Sequence, residues 1–319
     1  MEGATGPTAP PLFVVGCGRS GSTLLRLMLD AHPDIGVPAE SHFIPQLWRD
    51  HGGARPVDPR AIASALVATP HFGHWKIPED AVLRRVEGLD RPSFADVVEA
   101  AFMANADVHG KSRWGDKTPV YVRSIPLLAR LWPEARFVHL IRDGRDVALS
   151  YLSLHWGPST IWSAARKWRR DVSAGIRDGQ PLGTSRYMEV RYEALVAEPR
   201  ETLGAICTFA RLLFDEAMLD PSGRAGHETL APDEGRRFHE RSERGLDPAA
   251  RDWRTQMSKA DVRAFEAVAG SLLDDLGYER RFPGAAPKDR VEGVVRARGL
   301  DLVEFGSDVK RSIVRRFAG

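Results

Sequence analysis

Short apolar runs alternate with amphipathic stretches along this chain, a pattern typical of strands followed by helices. Residues 12–15 form an apolar run that ends at Gly16. Residues 23–30 then carry apolar side chains at helical spacing, up to a stop at His32 and Pro33. This part of the chain is therefore predicted to be a strand, a glycine-rich loop and a helix.

Two further units repeat this arrangement. Strands are predicted at residues 136–141 and 186–191, and helices after them at 145–154 and 199–213. Strands that alternate with helices favour a parallel sheet covered by helices on both faces. The sequence thus predicts an α/β fold, a P-loop-like parallel β-sheet flanked by helices, in a single domain with helical excursions.

The remaining stretches define the domain plan. Residues 1–10 are expected to form a disordered leader, and 11–285 the folded domain. Within it, about 50–113 is predicted as a helical excursion that shapes a substrate pocket, including a helix capped by Ser93. Residues 286–319 are predicted as a helical tail with a basic end.

Composition and charge argue against a nucleic-acid-binding protein and against a membrane-spanning one. Of 319 residues, 43% are hydrophobic, and 45 Lys and Arg against 43 Asp and Glu leave a net charge of +2, too small for a strong field toward nucleic acid. The sequence has no apolar run long enough for a membrane span. Cys17 and Cys207 are predicted to be free thiols. We expect a cytoplasmic protein without nucleic-acid partners.

The first loop, from Gly16 to Thr23, has the outline of a nucleotide P-loop but lacks its lysine, because Ser22 stands at that position. Backbone N–H groups, the helix dipole, the cation of Arg19 and the hydroxyls of Ser20, Ser22 and Thr23 still suit a phosphate or sulfate. Without the lysine, γ-phosphate chemistry with Mg²⁺ is disfavoured.

The second predicted strand also leads into a basic loop. Arg142 follows this strand directly, and Ser150 lies eight residues further on. Ligands of α/β folds collect at the carboxyl ends of the strands. Two anion sites on two such loops predict a ligand with two phosphate-type groups.

At this point the sequence resembles a known family, the sulfotransferases that use 3′-phosphoadenosine 5′-phosphosulfate (PAPS). The resemblance is strongest to the branch that contains tyrosylprotein sulfotransferases and many bacterial members. It covers residues 11–45 and 110–215 well and 241–253 more weakly. The stretches that carry it are residues 19–40, with the run Leu-Asp-Ala-His-Pro inside, Trp-Gly-Asp-Lys-Thr-Pro at 114–119 and Val-Arg-Tyr-Glu at 190–193.

The resemblance implies in-line, metal-independent sulfuryl transfer from PAPS to a hydroxyl acceptor. It implies that Glu40 is the general base and that Arg19 and Lys117 act on the sulfate and the leaving oxygen. The residues implied in PAPS binding are Arg19, Ser20, Gly21, Ser22 and Thr23 at the 5′-phosphosulfate, Arg142 and Ser150 at the 3′-phosphate, and Tyr192 and Ser242.

Several alternatives stay open from the sequence alone. His42 is a second candidate base, because imidazole titrates near neutrality. A P-loop kinase or NTPase, or a non-catalytic nucleotide-binding regulator of the same fold, would share the glycine loop. The acceptor is a small molecule, glycan, lipid or peptide, and the sequence leaves open whether the chain forms a homo-oligomer. No spacing typical of metal ligands is present, so no metal site is predicted.

Overall fold

The computed structural model describes residues 9–52, 57–154, 156–220 and 252–284. The chain divides into two units. The first comprises Met1–Ile141 and Ala174–Pro248, and the second comprises Arg142–Ser173 and Ala249–Gly319. The predicted tail, Ser242 and most of the predicted leader lie outside the described residues.

The first unit contains a parallel five-stranded sheet. Its strands are β1 (Leu12–Gly16), β2 (Ile35–Gly36), β3 (Arg113–Lys117), β4 (Arg136–Ile141) and β5 (Tyr187–Arg191). They are arranged in the order β2-β3-β1-β4-β5, and every neighbouring pair is parallel. The predicted parallel α/β sheet is confirmed.

Helices connect these strands. In chain order the described α-helices are α1 (Ser22–Asp30), α2 (Ile44–His51), α3 (Pro59–Val67), α4 (Pro70–Gly73), α5 (Glu79–Glu87), α6 (Phe94–Val108), α7 (Ile125–Leu131), α8 (Gly144–Leu152), α9 (Ile161–Gly179), α10 (Tyr192–Ala197), α11 (Pro199–Ala210), α12 (Trp253–Gln256) and α13 (Lys259–Asp275). Short 3₁₀ turns lie at Pro119–Arg123, Gln180–Leu182 and Glu216–Leu219.

The sheet register brings separate loops to one edge. In the pairing of β1 with β3, Val14 lies opposite Lys117, the last residue of β3. The glycine loop begins two residues after Val14. Lys117 is therefore placed at the carboxyl edge of the sheet, where this loop and the segment that follows β2 also begin.

The segment between β2 and β3 is mostly helical and packs on the core of the first unit. Asp58, Thr69 and Ser93 cap α3, α4 and α6 through their side chains, and Ser93 forms the predicted cap as part of a capping box with Asp96. The ring of Phe102 on α6 stacks on Trp114 of β3 with 4.5 Å between centroids. The role of this segment in a substrate pocket stays a prediction.

Some helix boundaries differ from their predictions by one to three residues. Helix α8 covers Gly144–Leu152 instead of 145–154, and α11 ends at Ala210 rather than at residue 213. Arg211 takes a left-handed φ of 55°, and the N–H of Leu212 bonds back to the carbonyl of Cys207 at 2.8 Å. This is a helix-terminating arrangement that here uses arginine instead of glycine.

A buried arginine organises the second unit. Arg145 is fully buried and donates to Asp143 at 2.8 Å and to Glu266 at 2.8 Å. Its guanidinium also lies over the ring of Trp253, 3.5 Å from the centroid. A Cβ at Gly144 would lie 2.5 Å from atoms of Phe265 and Trp168, so this helix start packs closely against aromatic rings.

Two general predictions can be compared with the described residues. Cys17 and Cys207 are both buried and are not joined in a disulfide, which agrees with the prediction of two thiols. Among the described residues, no helix combines the length and the apolar character that crossing a membrane requires.

Candidate active site

The loop between β1 and α1 turns sharply from strand to helix. Arg19 and Gly21 have φ values of 73° and 90°. A Cβ at Gly21 would lie 2.2 Å from Cε2 of Tyr192, and one at Gly16 would lie 2.5 Å from the carbonyl oxygen of Leu140. Only glycine fits these two positions. The predicted nucleotide-contacting Tyr192 is thus placed directly against the glycine loop.

This loop has the properties of an anion site. Gly21 is the N-cap of α1, and no side chain caps the helix, so the N–H groups of its first turn have no side-chain acceptor at the cap. The hydroxyl of Ser20 is buried and has no hydrogen-bond partner among the described residues. A buried unpaired hydroxyl costs about 1–3 kcal/mol, and an oxyanion bound at the helix start would provide the acceptor. The loop therefore fits a phosphosulfate group.

A carboxylate and an ammonium group meet at the same sheet edge. The Nζ of Lys117 donates to Oε1 of Glu40 at 2.6 Å and lies 3.5 Å from the hydroxyl of Thr23 in the glycine loop. The side chain of Lys117 is fully buried, and that of Glu40 is 25% exposed. The structure thus brings together three residues that the sequence placed in one site.

The Glu40 carboxylate is strongly biased toward its ionised form. Burial by itself raises the pKa of this carboxyl, but the charge of Lys117 and hydrogen bonds from His42 and Lys117 outweigh burial and lower the pKa to about 2. Glu40 is therefore a carboxylate at neutral pH.

His42, the second candidate base, contacts the same carboxylate. Its Nε2 lies 2.7 Å from Oε2 of Glu40, and its φ of 53° is left-handed. The ring of His71 lies 4.6 Å from the ring of His42, measured between centroids, and His74 follows at 6.1 Å from His71. Burial, together with the charges of His42 and His74, lowers the pKa of His71.

A buried hydrogen-bond network lies beside the Glu40–Lys117 pair. The hydroxyls of Ser41 and Thr118 each donate to the carboxylate of Asp116 at 2.8 Å. The hydroxyl oxygen of Tyr121 lies 2.9 Å from Ser41 Oγ and accepts from the backbone N–H of Ile44 at 3.0 Å. Burial raises the pKa of Asp116 to about 6, although the two hydroxyl donors oppose this shift.

Sequence reasoning did not assign this network to the site. The run at 114–119 was singled out for its lysine, but Asp116 and Thr118 read as ordinary polar residues, and Ser41 stood between two candidate bases without a role of its own. One feature of the sequence could have indicated them: Ser41 lies next to Glu40, and Asp116 and Thr118 lie on either side of Lys117.

Arg142 and Ser150, the predicted 3′-phosphate pair, belong to the second unit. Arg142 is buried, its carbonyl accepts from Nε1 of Trp168 at 3.0 Å, and its Nη2 lies 3.8 Å from Asp146 Oδ2. Ser150 lies on α8 and is also buried. Their 3′-phosphate role stays a prediction, and Ser242 lies outside the described residues. Within the described ranges no group of three His, Cys, Asp or Glu side chains could hold a metal ion.

Comparison with known proteins finds protein-tyrosine sulfotransferases among the relatives of this chain. Protein-tyrosine sulfotransferase of Drosophila melanogaster is 27% identical over 218 residues, which cover 66% of this chain and 40% of that protein. Protein-tyrosine sulfotransferase 1 of Danio rerio is 26% identical over 290 residues, covering 85% of this chain and 72% of that protein. The matched region is therefore less than half of the Drosophila protein.

Comparison with solved structures also finds sulfotransferases. The sulfotransferase domain of the Synechococcus PCC 7002 olefin synthase superposes with a TM-score of 0.62 and 27% identity, covering 85% of this chain and 95% of that domain. The sulfotransferase domain from the curacin biosynthetic pathway shares the fold, with a TM-score of 0.58 and 19% identity over 85% of this chain and 99% of that domain.

The family comparison covers most of the sheet and the candidate site. The description "Sulfotransferase family" matches residues 10–216, about two thirds of the chain. This range includes the glycine loop, Glu40, Lys117 and Tyr192. The chain belongs to the sulfotransferase family and is a sulfuryl-transferring enzyme.

Proposed function

We propose that this enzyme transfers the sulfuryl group of PAPS to the hydroxyl of an acceptor, in line and without a metal ion. The observation that supports this most directly is the Glu40–Lys117–Thr23 cluster, which joins a base candidate, a buried cation and the anion-binding loop within hydrogen-bond distance. A protein that only binds a nucleotide has no need for the carboxylate in this cluster.

The glycine loop would hold the 5′-phosphosulfate. Ser20 offers a buried hydroxyl without a partner, and the first turn of α1 offers its N–H groups. The sequence resemblance adds Arg142 and Ser150 at the 3′-phosphate and Tyr192 and Ser242 at the nucleotide. When bound, PAPS supplies the sulfuryl group and a bisphosphate leaving group.

The residues of the chain then have separate tasks. Arg19 orients the sulfate oxygens through its planar guanidinium. Lys117 holds an ammonium group beside the loop, where it stabilises charge on the leaving oxygen. The sequence predicts that Glu40 is the general base. Lys117 contacts both Thr23 and Glu40, and Glu40 in turn contacts His42. The proton of the acceptor leaves through this pair.

The acceptor is a hydroxyl compound. The names of the relatives from Drosophila and Danio state that those proteins act on protein tyrosine, so a tyrosine peptide is the first acceptor to test. A small molecule, a glycan and a lipid are the other classes in the proposal. We also propose that the enzyme acts in the cytoplasm.

A P-loop kinase is the competing function. It would use the same strand, loop and helix, but Ser22 stands where the phosphate-binding lysine of such enzymes belongs. The match to the sulfotransferase family over residues 10–216 argues against it as well.

Calorimetric titration and a transfer assay test the proposal together. The purified chain is titrated without metal with 3′-phosphoadenosine 5′-phosphate, the product form of the donor, and in parallel with ATP and Mg²⁺. We expect micromolar binding of the bisphosphate and no preference for Mg-ATP. Arg19→Ala is expected to weaken binding, while Arg49→Ala on the exposed face of α2 is the matched control.

For transfer, the chain is given PAPS and one probe for each acceptor class: a tyrosine peptide, naphthol, octanol and lactose. Formation of a sulfated product with any probe supports the proposal. Preference for Mg-ATP, or absence of transfer to every probe, would contradict it.

A further inference from the structure

A buried arginine lies one helical turn behind the glycine loop. Arg26 is on α1, four residues after Ser22, and its side chain is fully buried. Its Nη1 donates to the carbonyl oxygen of Val37 at 3.0 Å. Its Nε and Nη2 are also buried and have no hydrogen-bond partner in the part of the chain that the structure describes. Most N–H donors of this guanidinium are therefore unused.

The charge of Arg26 is not balanced by a neighbouring carboxylate. Arginine keeps its positive charge in proteins. Asp30, one turn further along α1, is engaged elsewhere, because its Oδ1 accepts from Nζ of Lys111 at 2.9 Å and from the N–H of Val37 at 2.9 Å. Among the described residues, no acidic side chain forms an ion pair with Arg26. A buried cation without a partner is costly, so this position favours an incoming anion.

The position of the guanidinium indicates where this anion lies. Side chains of a helix lean toward its N-terminus, so that of Arg26 covers the first turn of α1. Val37, to which it bonds, is the first residue after β2 and lies at the carboxyl edge of the sheet. The glycine loop begins at the same edge, and the buried hydroxyl of Ser20 in this loop is another donor without a partner in the described ranges. Both groups therefore suit an anion at the start of α1.

This inference rests on the proposed function and concerns the donor. We propose that Arg26 is a positioning residue for the 5′-phosphosulfate of PAPS, because the anion in the glycine loop balances its buried charge. Since the guanidinium is fully buried, it acts through the first turn of α1 and does not touch the ligand. Charges interact more strongly inside a protein than in water, so the effect persists over several ångströms.

Two consequences distinguish this role from packing alone. In the free chain the unbalanced charge disfavours folding, so its removal should not lower stability. In the complex the charge favours the ligand, so its removal should weaken binding of nucleotides that carry an anion at the 5′ position. An arginine with a purely structural role would give the opposite result, which is a less stable fold and an equal effect on every ligand.

Calorimetric titration of the full chain tests the effect on binding. Arg26→Met keeps an unbranched side chain without the charge, and Arg26→Lys keeps the charge. The ligands are 3′-phosphoadenosine 5′-phosphate, AMP and adenosine 3′-phosphate, which lacks the 5′ group. We expect Arg26→Met to weaken binding of the first two ligands about 10–100-fold, the range of a charge-assisted interaction, and to leave adenosine 3′-phosphate unchanged. Arg26→Lys should restore most of the affinity.

Arg84→Met, which removes an exposed arginine of α5, is the matched control and should bind all three ligands like the wild type. An equal loss for all three ligands in Arg26→Met would show that the substitution only disturbs the fold. No loss for any of them would show that the charge does not reach the loop. Either result overturns the inference and leaves the proposed function intact. If the wild type bound neither the bisphosphate nor AMP, the proposed function itself would fail, and this inference with it.

Urea denaturation tests the effect on stability. Arg26→Gln is added here, because its amide still offers a donor for the carbonyl of Val37 but carries no charge. Without ligand, we expect the unfolding midpoint of Arg26→Gln to equal or exceed that of the wild type, and the bisphosphate at a fixed concentration should raise this midpoint less than it does in the wild type. A lower midpoint without ligand would contradict the inference. Failure of both neutral variants to fold would contradict it as well, since the charge would then be balanced within the chain.

Discussion

At the scale of single residues, two neighbouring hydrogen bonds set the geometry of the site. Glu40 bonds to Lys117, and the next residues along each segment, Ser41 and Asp116, bond to each other at 2.8 Å. The second bond is fully buried and joins a hydroxyl to a carboxylate. Ser41 adjoins Glu40 in the chain, and Asp116 adjoins Lys117. The buried bond between Ser41 and Asp116 therefore keeps the carboxylate of Glu40 close to the ammonium group of Lys117.

This arrangement makes Ser41→Ala a test of the buried network. The variant leaves Oδ2 of Asp116 without its hydroxyl donor, and a buried acceptor without a partner costs about 1–3 kcal/mol. We expect the free energy of unfolding, measured by urea denaturation, to fall by this amount. Ser112→Ala, at an exposed position just before β3, is the control. An equally small effect of both substitutions would show that the network does not stabilise the site.

The pKa of Glu40 predicts a pH dependence of stability. A folded-state pKa of about 2, below the ordinary 4.5, means that the ionised carboxyl stabilises the folded chain above pH 4.5 and loses this effect as the pH falls toward 2. The difference corresponds to about 3 kcal/mol.

Glu40→Gln should therefore lower the free energy of unfolding by about 3 kcal/mol near neutral pH, and its difference from the wild type should shrink as the pH is lowered from 4.5 to 2. Denaturant titrations at a series of pH values measure this. Glu87→Gln, which removes a solvent-exposed ion pair with Arg60, should change stability by less than about 1 kcal/mol. A Glu40→Gln difference that stays constant with pH would contradict the assignment.

Among these residues, the sequence identified those to which the family resemblance gives a role, and it missed the polar residues that surround them. Glu40 and Lys117 were placed by their positions in two family-like stretches. The contact between them, and its extension to His42, depends on the register of β1 with β3, which no local pattern reports. Asp116 and Tyr121 were missed because a buried polar residue looks like a surface residue until its partners are known.

At the scale of elements, the glycine loop owes its shape to one close approach. Gly21 combines a left-handed φ with the ring of Tyr192 at the position its Cβ would take. Gly110 also has a left-handed φ, of 69°, but nothing lies within 4 Å of its Cβ position. A side chain at Gly110 would therefore meet backbone strain alone, whereas one at Gly21 would meet backbone strain and a clash with Tyr192.

We expect Gly110→Ala to cost about 1–2 kcal/mol of stability from strain alone. Gly21→Ala should cost more, because Tyr192 must also move, and it should weaken binding of the bisphosphate, which Gly110→Ala should not. Thermal unfolding and calorimetric titration measure the two effects. If Gly21→Ala bound the bisphosphate like the wild type, the loop would not be the phosphosulfate site.

The strands show where pattern reading succeeds. β1 and β4 are buried on both faces. β1 reads as an apolar run that ends at Gly16, and β4 is mostly apolar apart from Arg136 and His139, which is how parallel strands are recognised. β3, Arg-Trp-Gly-Asp-Lys, was not predicted as a strand although four of its five residues are buried. Its Asp116 and Lys117 belong to the site, and its Gly115 allows the close approach of Leu12. β2 has only two residues, too few for any period.

The scale of the whole molecule adds an electrostatic argument. With a net charge of +2, the chain has little long-range attraction for a bisphosphate, so affinity must come from groups at the loops. Among these, Arg142 is the residue that the sequence assigns to the 3′-phosphate. A ligand that binds only the folded chain raises its stability according to its concentration relative to Kd.

At 100 times its Kd, 3′-phosphoadenosine 5′-phosphate should therefore add about 2.7 kcal/mol to the free energy of unfolding, measured as a rise in Tm. Arg142→Ala should weaken nucleotide affinity by about 1.5–3 kcal/mol, the range of a charge-assisted hydrogen bond, and so remove most of this rise at the same ligand concentration. AMP, which lacks the 3′-phosphate, should stabilise the wild type less than the bisphosphate does and should affect the wild type and Arg142→Ala equally. If AMP and the bisphosphate raised the Tm of the wild type by the same amount, the chain would have no 3′-phosphate site, and the donor would have to be reconsidered while the family assignment stood.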